Sequence, residues 1–192
     1  MDKQKKRIIF LGASGSGKSS MINIVIGANI CETGDGLFPV TKSTFTVSVD
    51  IDEYSLELVD TVSNGGTSLE NYTEYDLKCD LLIYTMKLGK VTNADDIEKI
   101  NRIAKEIPII IVITYNGYNT HSYAYDWMIR HTDFFKKLWG ERTILCIPTT
   151  FHKESCTEQG SCTEQGEELQ QYQVELRAAI LSEIKKNKGG YL

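Results

Sequence analysis

Short apolar runs alternate with amphipathic stretches along most of the chain. Arg7–Leu11 reads as a buried strand and Ser19–Ile26 as a helix. Thr44–Ile51 places Phe45, Val47, Val49 and Ile51 at period two, the pattern of a half-exposed edge strand. Tyr54–Val59 follows after only Asp52-Glu53, so the pair is predicted to form an antiparallel hairpin. Leu81–Met86 reads as a further strand. Thr92 followed by Asp95 resembles a helix cap, and Ile97, Ile100, Ile103 and Ala104 then share one helical face. Pro108–Thr114 carries five Ile and Val residues, the composition of a central parallel strand buried on both sides. Tyr123–Leu138 reads as one helix, Thr143–Ile147 as a strand, and 167–187 as a closing helix with Leu169, Tyr172, Leu176, Ala179 and Ile180 on one face.

Strand and helix in alternation predict an α/β fold with a mainly parallel, six-stranded sheet and one antiparallel edge strand. One segment departs from the alternation. Ser155-Cys-Thr-Glu-Gln-Gly160 recurs unchanged as Ser161-Cys-Thr-Glu-Gln-Gly166. Lying between a strand and a helix, residues 152–166 are expected to form an expanded surface loop. A metal reading of Cys156, Cys162 and His152 finds no tetrahedral ligand spacing to support it. His121, His131 and the aromatics Tyr118, Tyr123, Tyr125 and Trp127 are expected to serve the core, as aromatic stripes at helical spacing usually do.

Composition narrows the function classes. With 192 residues the chain can bury a core without staples. The 21 Lys and Arg against 26 Asp and Glu leave a net charge of −5. That argues against nucleic acid or an anionic membrane as main partner. Five cysteines without a CxxC pair do not suggest a disulfide framework. No apolar run reaches the roughly 18 residues of an integral membrane segment. A soluble, cytoplasmic protein is the expectation.

The chemistry enters at Gly12-Ala13-Ser14-Gly15-Ser16-Gly17-Lys18-Ser19, a full match to G-x-x-x-x-G-K-[ST]. It follows a predicted strand and opens a predicted helix, as the mechanism requires. Glycines let backbone N–H groups converge on a phosphate, and the helix points its positive end at the same place. Lys18 supplies a charge between β- and γ-phosphates, and the Ser19 hydroxyl is placed to ligate Mg²⁺. The segment Gly12–Ser20 is therefore the predicted phosphate site, and the predicted fold is the three-layer sandwich of P-loop nucleotide hydrolases. Asp60, ending the strand of Leu56-Glu57-Leu58-Val59, is predicted to hold the metal through a water. Thr41 and Thr44 are both exposed hydroxyls able to close over the γ-phosphate.

Taken together, these residues resemble the AIG1-type (immunity-associated nucleotide-binding) GTPases, from about residue 7 to about 151. Gly17-Lys18-Ser19-Ser20 with Ile22-Asn23 and Gly27 resembles the family's first motif and helix. Pro39-Val40-Thr41-Lys42 resembles its switch-one segment, which points to Thr41 as the third Mg²⁺-side residue beside Ser19 and Asp60. Val59-Asp60-Thr61 resembles its third motif. Leu88-Gly89-Lys90-Val91-Thr92 resembles the box that separates this family from Ras-like proteins. Leu138-Trp139-Gly140-Glu141-Arg142 resembles the approach to its last core strand. The resemblance implies one G domain over 1–192, GTP or GDP as ligand with Mg²⁺, slow hydrolysis, and a nucleotide-dependent homodimer with Lys90 near its face.

Three departures qualify what is inherited. The third motif reads Asp60-Thr61-Val62-Ser63 instead of Asp-Thr-Pro-Gly. The guanine reader, Thr114-Tyr115-Asn116, is followed by Gly117 where a carboxylate belongs, and Thr149-Thr150 replaces paired asparagines. No Gln follows Asp60 to orient a water, so no catalytic base is named. Two alternatives therefore stand beside the GTPase reading: a nucleotide-binding module without turnover, and an ATP-dependent P-loop enzyme.

Overall fold

The computed structural model describes residues 3–31, 44–61, 78–90, 94–103, 107–115, 121–149 and 162–187. Its six strands are β1 (Gln4–Gly12), β2 (Phe45–Ile51), β3 (Tyr54–Asp60), β4 (Leu81–Lys87), β5 (Ile109–Tyr115) and β6 (Thr143–Pro148). They form one sheet in the order β2-β3-β1-β4-β5-β6. Every neighbouring pair is parallel except β2 with β3. The predicted mainly parallel sheet with an antiparallel edge strand is thus what forms. Ile51 pairs with Tyr54 across the Asp52-Glu53 turn. Asp52 takes φ 51°, a left-handed conformation that Asp tolerates better than most residues.

Helices cover both faces. α1 (Lys18–Ile26) and α5 (Cys162–Lys186) pack on one side, where Ile8, Phe10, Leu56, Ile83 and Val112 meet Met21, Ile22, Leu176 and Ile180. On the other side lie α2 (Ala94–Ile103), α3 (His121–Arg130) and α4 (Thr132–Trp139). There Ile9, Leu11, Leu82 and Ile111 meet Ile100, Ala124, Phe135 and Trp139. Strands with helices on both faces must be apolar on both, and β5 is buried at every position. Cys31, Cys79 and Cys146 are buried free thiols. No helix among the described residues is long and apolar enough to cross a membrane.

Three expectations need correction. The predicted helix Tyr123–Leu138 is two helices that break at His131. There His131 Nδ1 lies 2.7 Å from the Trp127 carbonyl, and the Thr132 hydroxyl donates to Met128 O. The His131 N–H is shared between the Trp127 and Met128 carbonyls at 3.2 and 3.1 Å, a tightened last turn, and the Thr132 hydroxyl takes the carbonyl that its own N–H would use in a continuing helix. The aromatic stripe is also only partly core. Trp127 is half-buried, but Tyr123 and Tyr125 are each 49% exposed. Tyr118 lies outside the described residues. Finally, α5 begins at Cys162, so the second copy of the hexapeptide is helical from that residue on and not part of a loop through 166. Glu164, Gln165, Glu167 and Glu168 favour a helical start enough to carry Gly166 inside it. The first copy lies outside the described residues.

Candidate functional site: a phosphate-binding loop at the sheet's C-terminal edge

The turn from β1 into α1 lies at the C-terminal ends of the parallel strands. Its crest, Ala13-Ser14-Gly15, is exposed, while Gly12, Ser16 and Lys18 are buried. Two glycines are obligatory. Gly12 has φ 148°, and a Cβ there would sit 2.3 Å from the Thr85 carbonyl oxygen. Gly17 has φ 90°, and its Cβ would meet the Thr149 methyl at 2.5 Å. Gly15, at φ 69°, has nothing within 4 Å of the same position, so the crest is open on that side. The loop closes on itself through Ser16 N–H to Ala13 O at 3.1 Å.

Lys18 donates to the carbonyls of Gly12 at 3.1 Å and Ala13 at 3.3 Å, which lays its ammonium against the loop. Burial lowers its pKa to about 8, and the nearby Asp60 carboxylate opposes that shift. The Ser19 hydroxyl donates to Asp60 Oδ2 at 2.6 Å. Asp60 is 1% exposed at the end of β3. A hydroxyl and a carboxylate oxygen brought together beside a buried ammonium form a hard-oxygen donor set suited to Mg²⁺. Ser20 sits half-buried in the first turn of α1.

Neighbouring elements hold the loop in place, and one of the residues involved, Thr85, lies outside every motif quoted above. Thr85 of β4 donates to Leu11 O at 3.1 Å, so the 2.6 Å contact with Ser16 Oγ has Ser16 as donor. Thr61 donates to Phe10 O at 2.6 Å. Asn23 of α1 binds Cys31 O and accepts from the amides of Ile30 and Cys31, fixing the chain after the helix. Thr85 was legible in principle: a lone threonine within an otherwise apolar strand needs a buried acceptor.

The proposed base readers behave differently. Thr114 is 1% exposed and donates to Ser16 O at 2.8 Å and to Met86 O at 3.2 Å. It braces the phosphate loop. Tyr115 is 3% exposed, and its hydroxyl lies 3.1 Å from that of Tyr172 on α5. Its ring is packed in the interior and offers no face to a base. Asn116 and Thr41 lie outside the described residues. Lys90 is exposed beyond the end of β4, on the same edge as the loop, in a turn closed by its own N–H to Lys87 O.

The sequence profile of the 50S ribosome-binding GTPases matches residues 7–115, more than half of the chain. The chain belongs to that family of P-loop GTPases. No curated protein matches the sequence. Solved structures with the same fold include a dimerization-deficient mutant of Toc33 from Arabidopsis thaliana, at TM-score 0.67 and 15% identity, covering 97% of this chain and 87% of that one. Toc33 in complex with GDP and Mg²⁺ superposes at TM-score 0.60 and 14% identity over the same shares. Era in complex with MgGDPNP and part of 16S ribosomal RNA does so at TM-score 0.60 and 17% identity, covering 77% of this chain and 52% of that one. At these identities the likeness concerns the fold of this P-loop GTPase.

Proposed function

We propose that this P-loop GTPase binds GTP and GDP with Mg²⁺ and works as an AIG1-type switch, slow in hydrolysis and dimerising through its nucleotide face. The observation that carries the reading is the hydrogen bond from half-buried Ser19 to buried Asp60, beside Lys18 and an exposed glycine crest. Gly12 to Ser20 would cradle the phosphates. Ser19, Asp60 and Thr41 would stand on the metal side, where Mg²⁺ supplies charge neutralisation between β- and γ-phosphates. The AIG1 assignment draws its support from the Leu88–Thr92 box, whose Lys90 is exposed on the loop's edge of the sheet. Toc33, described as a protein with a dimerization-deficient mutant, shares the fold over nearly this whole chain, which favours the dimer reading. The whole of 1–192 is then one G domain closed by α5. Guanine selectivity rests on family membership, since Gly117 supplies no carboxylate and the Tyr115 ring is buried.

The decisive experiment is competition of GTP and ATP for a fluorescent nucleotide with Mg²⁺ present. GTP is expected to win by at least about tenfold, and Lys18→Ala to weaken both by about tenfold or more, the scale of a lost charge-assisted bond. Equal affinities would overturn the guanine reading. An unchanged mass by light scattering across GDP, GTP and nucleotide-free samples would remove the dimer. A second reading, a binding module without turnover, is favoured by Val62-Ser63 and the missing Gln after Asp60. Mg²⁺-dependent phosphate release that Lys18→Ala abolishes would exclude it.

A further inference from the structure

A cavity of about 230 Å³ opens at the end of the sheet opposite the phosphate loop. Its walls come from α3, α4 and the start of β6, with Met128, Phe135 and Ile144 as apolar lining. From Ile144 to Thr149, which touches the Gly17 position, is five residues of extended chain, or about 17 Å. The cavity is therefore separate from the nucleotide site.

Arg142 lines this cavity half-buried. Its Nη1 donates to Asn101 Oδ1 at 2.9 Å and to Trp139 O at 2.7 Å. Both acceptors are neutral, and both use the same nitrogen. They fix the plane of the guanidinium and leave its Nε–Nη2 edge without an acceptor among the described residues. No carboxylate among the described residues lies within ion-pair distance of it. A guanidinium drawn halfway out of water with no counter-charge among the described residues is costly, and burial accordingly lowers its pKa.

The other polar groups have settled roles. Thr132 spends its hydroxyl proton on Met128 O. The Gly140 amide donates to Lys136 O, and Arg142 takes Trp139 O, so the negative end of α4 is already answered. Lys136 has Glu141 at 3.8 Å, but Glu141 is 88% exposed, and such a pair is weak enough to exchange. The cavity thus joins an apolar lining to the two cations Arg142 and Lys136, against the single carboxylate of Glu141. The volume is below that of pockets for drug-sized ligands, so the occupant is small.

We propose that this cavity binds a small organic carboxylate with a short apolar body, its two oxygens bridged by the Nε–Nη2 edge of Arg142 and its charge shared with Lys136. An inorganic anion would leave the apolar lining unused, and a neutral alcohol would leave the guanidinium unanswered.

The test is an NMR titration of the full chain with hexanoate, hexanol and inorganic phosphate. Hexanoate is expected to shift the Met128 methyl and the Ile144 and Arg142 signals saturably, with a Kd of about 1 mM, the scale for a fragment of about eight heavy atoms. Arg142→Met is expected to weaken it by about tenfold or more, with triphosphate affinity unchanged. Should that variant lose its Asn101 and Trp139 anchors and unfold, Lys136→Gln serves instead, exposed and expected to weaken hexanoate by about threefold or more. No saturable shift up to about 20 mM, equal shifts from hexanol or phosphate, or undiminished binding in a folded Arg142→Met or in Lys136→Gln would each overturn the proposal.

Discussion

Thr114→Val separates two roles for one residue. The side chain is buried, and its hydroxyl reaches Ser16 O at 2.8 Å and Met86 O at 3.2 Å. Valine keeps the shape but replaces the hydroxyl with a methyl. A carbon at 2.8 Å from a carbonyl oxygen is about 0.5 Å too close, since such contacts prefer roughly 3.3 Å or more. The loop must move by about that much, and Ser16 O loses its donor. The loss is about 1–3 kcal/mol of stability. At about 2 kcal/mol, Tm falls by roughly 4–8 °C in a chain of this size. A displaced loop harms every ligand that carries the same phosphates. GTP, ATP and pyrophosphate are therefore expected to weaken in parallel, by about 5–30-fold, in competition binding. Thr114→Ser, which restores the hydroxyl, should recover most of both losses. The reasoning fails if Thr114→Val changes the GTP-to-ATP ratio by more than about threefold while pyrophosphate binding and Tm stay as they were. That result would make Thr114 a base reader after all.

Other consequences can be checked alongside. Gly12→Ala forces a Cβ to within 2.3 Å of the Thr85 backbone oxygen at φ 148°, so denaturant unfolding should show a loss of about 3 kcal/mol or more. Lys18 has its pKa lowered from 10.5 to about 8 by burial, so above about pH 8 the folded state holds fewer protons there than the unfolded one. The sign follows: its destabilising contribution is fully present below pH 8 and is relieved as pH rises towards 10.5. Nucleotide-free protein measured by urea unfolding over that window should show this upward contribution, and Lys18→Met should lose it. A bound triphosphate favours the ammonium, so affinity should fall as pH passes about 8. Arg177 donates to Val25 O at 2.8 Å and Ile26 O at 3.2 Å, capping the negative end of α1. Arg177→Met should cost about 2 kcal/mol in thermal or urea unfolding, with Arg177→Lys recovering only part, because one ammonium does not span both carbonyls.

The parts of the fold set by short-range rules were readable in advance. The hairpin at Asp52-Glu53 needed only period-two alternation and a turn residue that accepts positive φ. β5 needed only a run of Ile and Val too apolar to face water on either side. Where two local tendencies compete, reading along the chain was not enough. Around His131 the helical period continues in the sequence, yet α3 stops at Arg130, with the His131 N–H shared between the Trp127 and Met128 carbonyls and the Thr132 hydroxyl on Met128 O. Tyr123 and Tyr125 share the spacing of core residues, but their rings stay half outside while Ala124 between them is buried. The site divided the same way. Gly12 to Ser19 announced itself as a motif, whereas Thr85 and Thr61 show their function only through acceptors far away in sequence.

By itself the sequence determined the phosphate loop, because every requirement there is local: glycines for positive φ, a lysine and a hydroxyl at fixed offsets, and a helix start beneath them. It also determined the mainly parallel sheet, through apolar runs separated by helical periods. Only the tertiary structure decided what Thr114 and Tyr115 do. Both stand where a base reader was expected, but Thr114 finds the Ser16 carbonyl 98 positions away and Tyr115 finds Tyr172 on α5. A threonine hydroxyl or a tyrosine ring has no role of its own until packing chooses its partner. That choice depends on which strands and helices become neighbours, and the order β2-β3-β1-β4-β5-β6 appears only when the sheet closes.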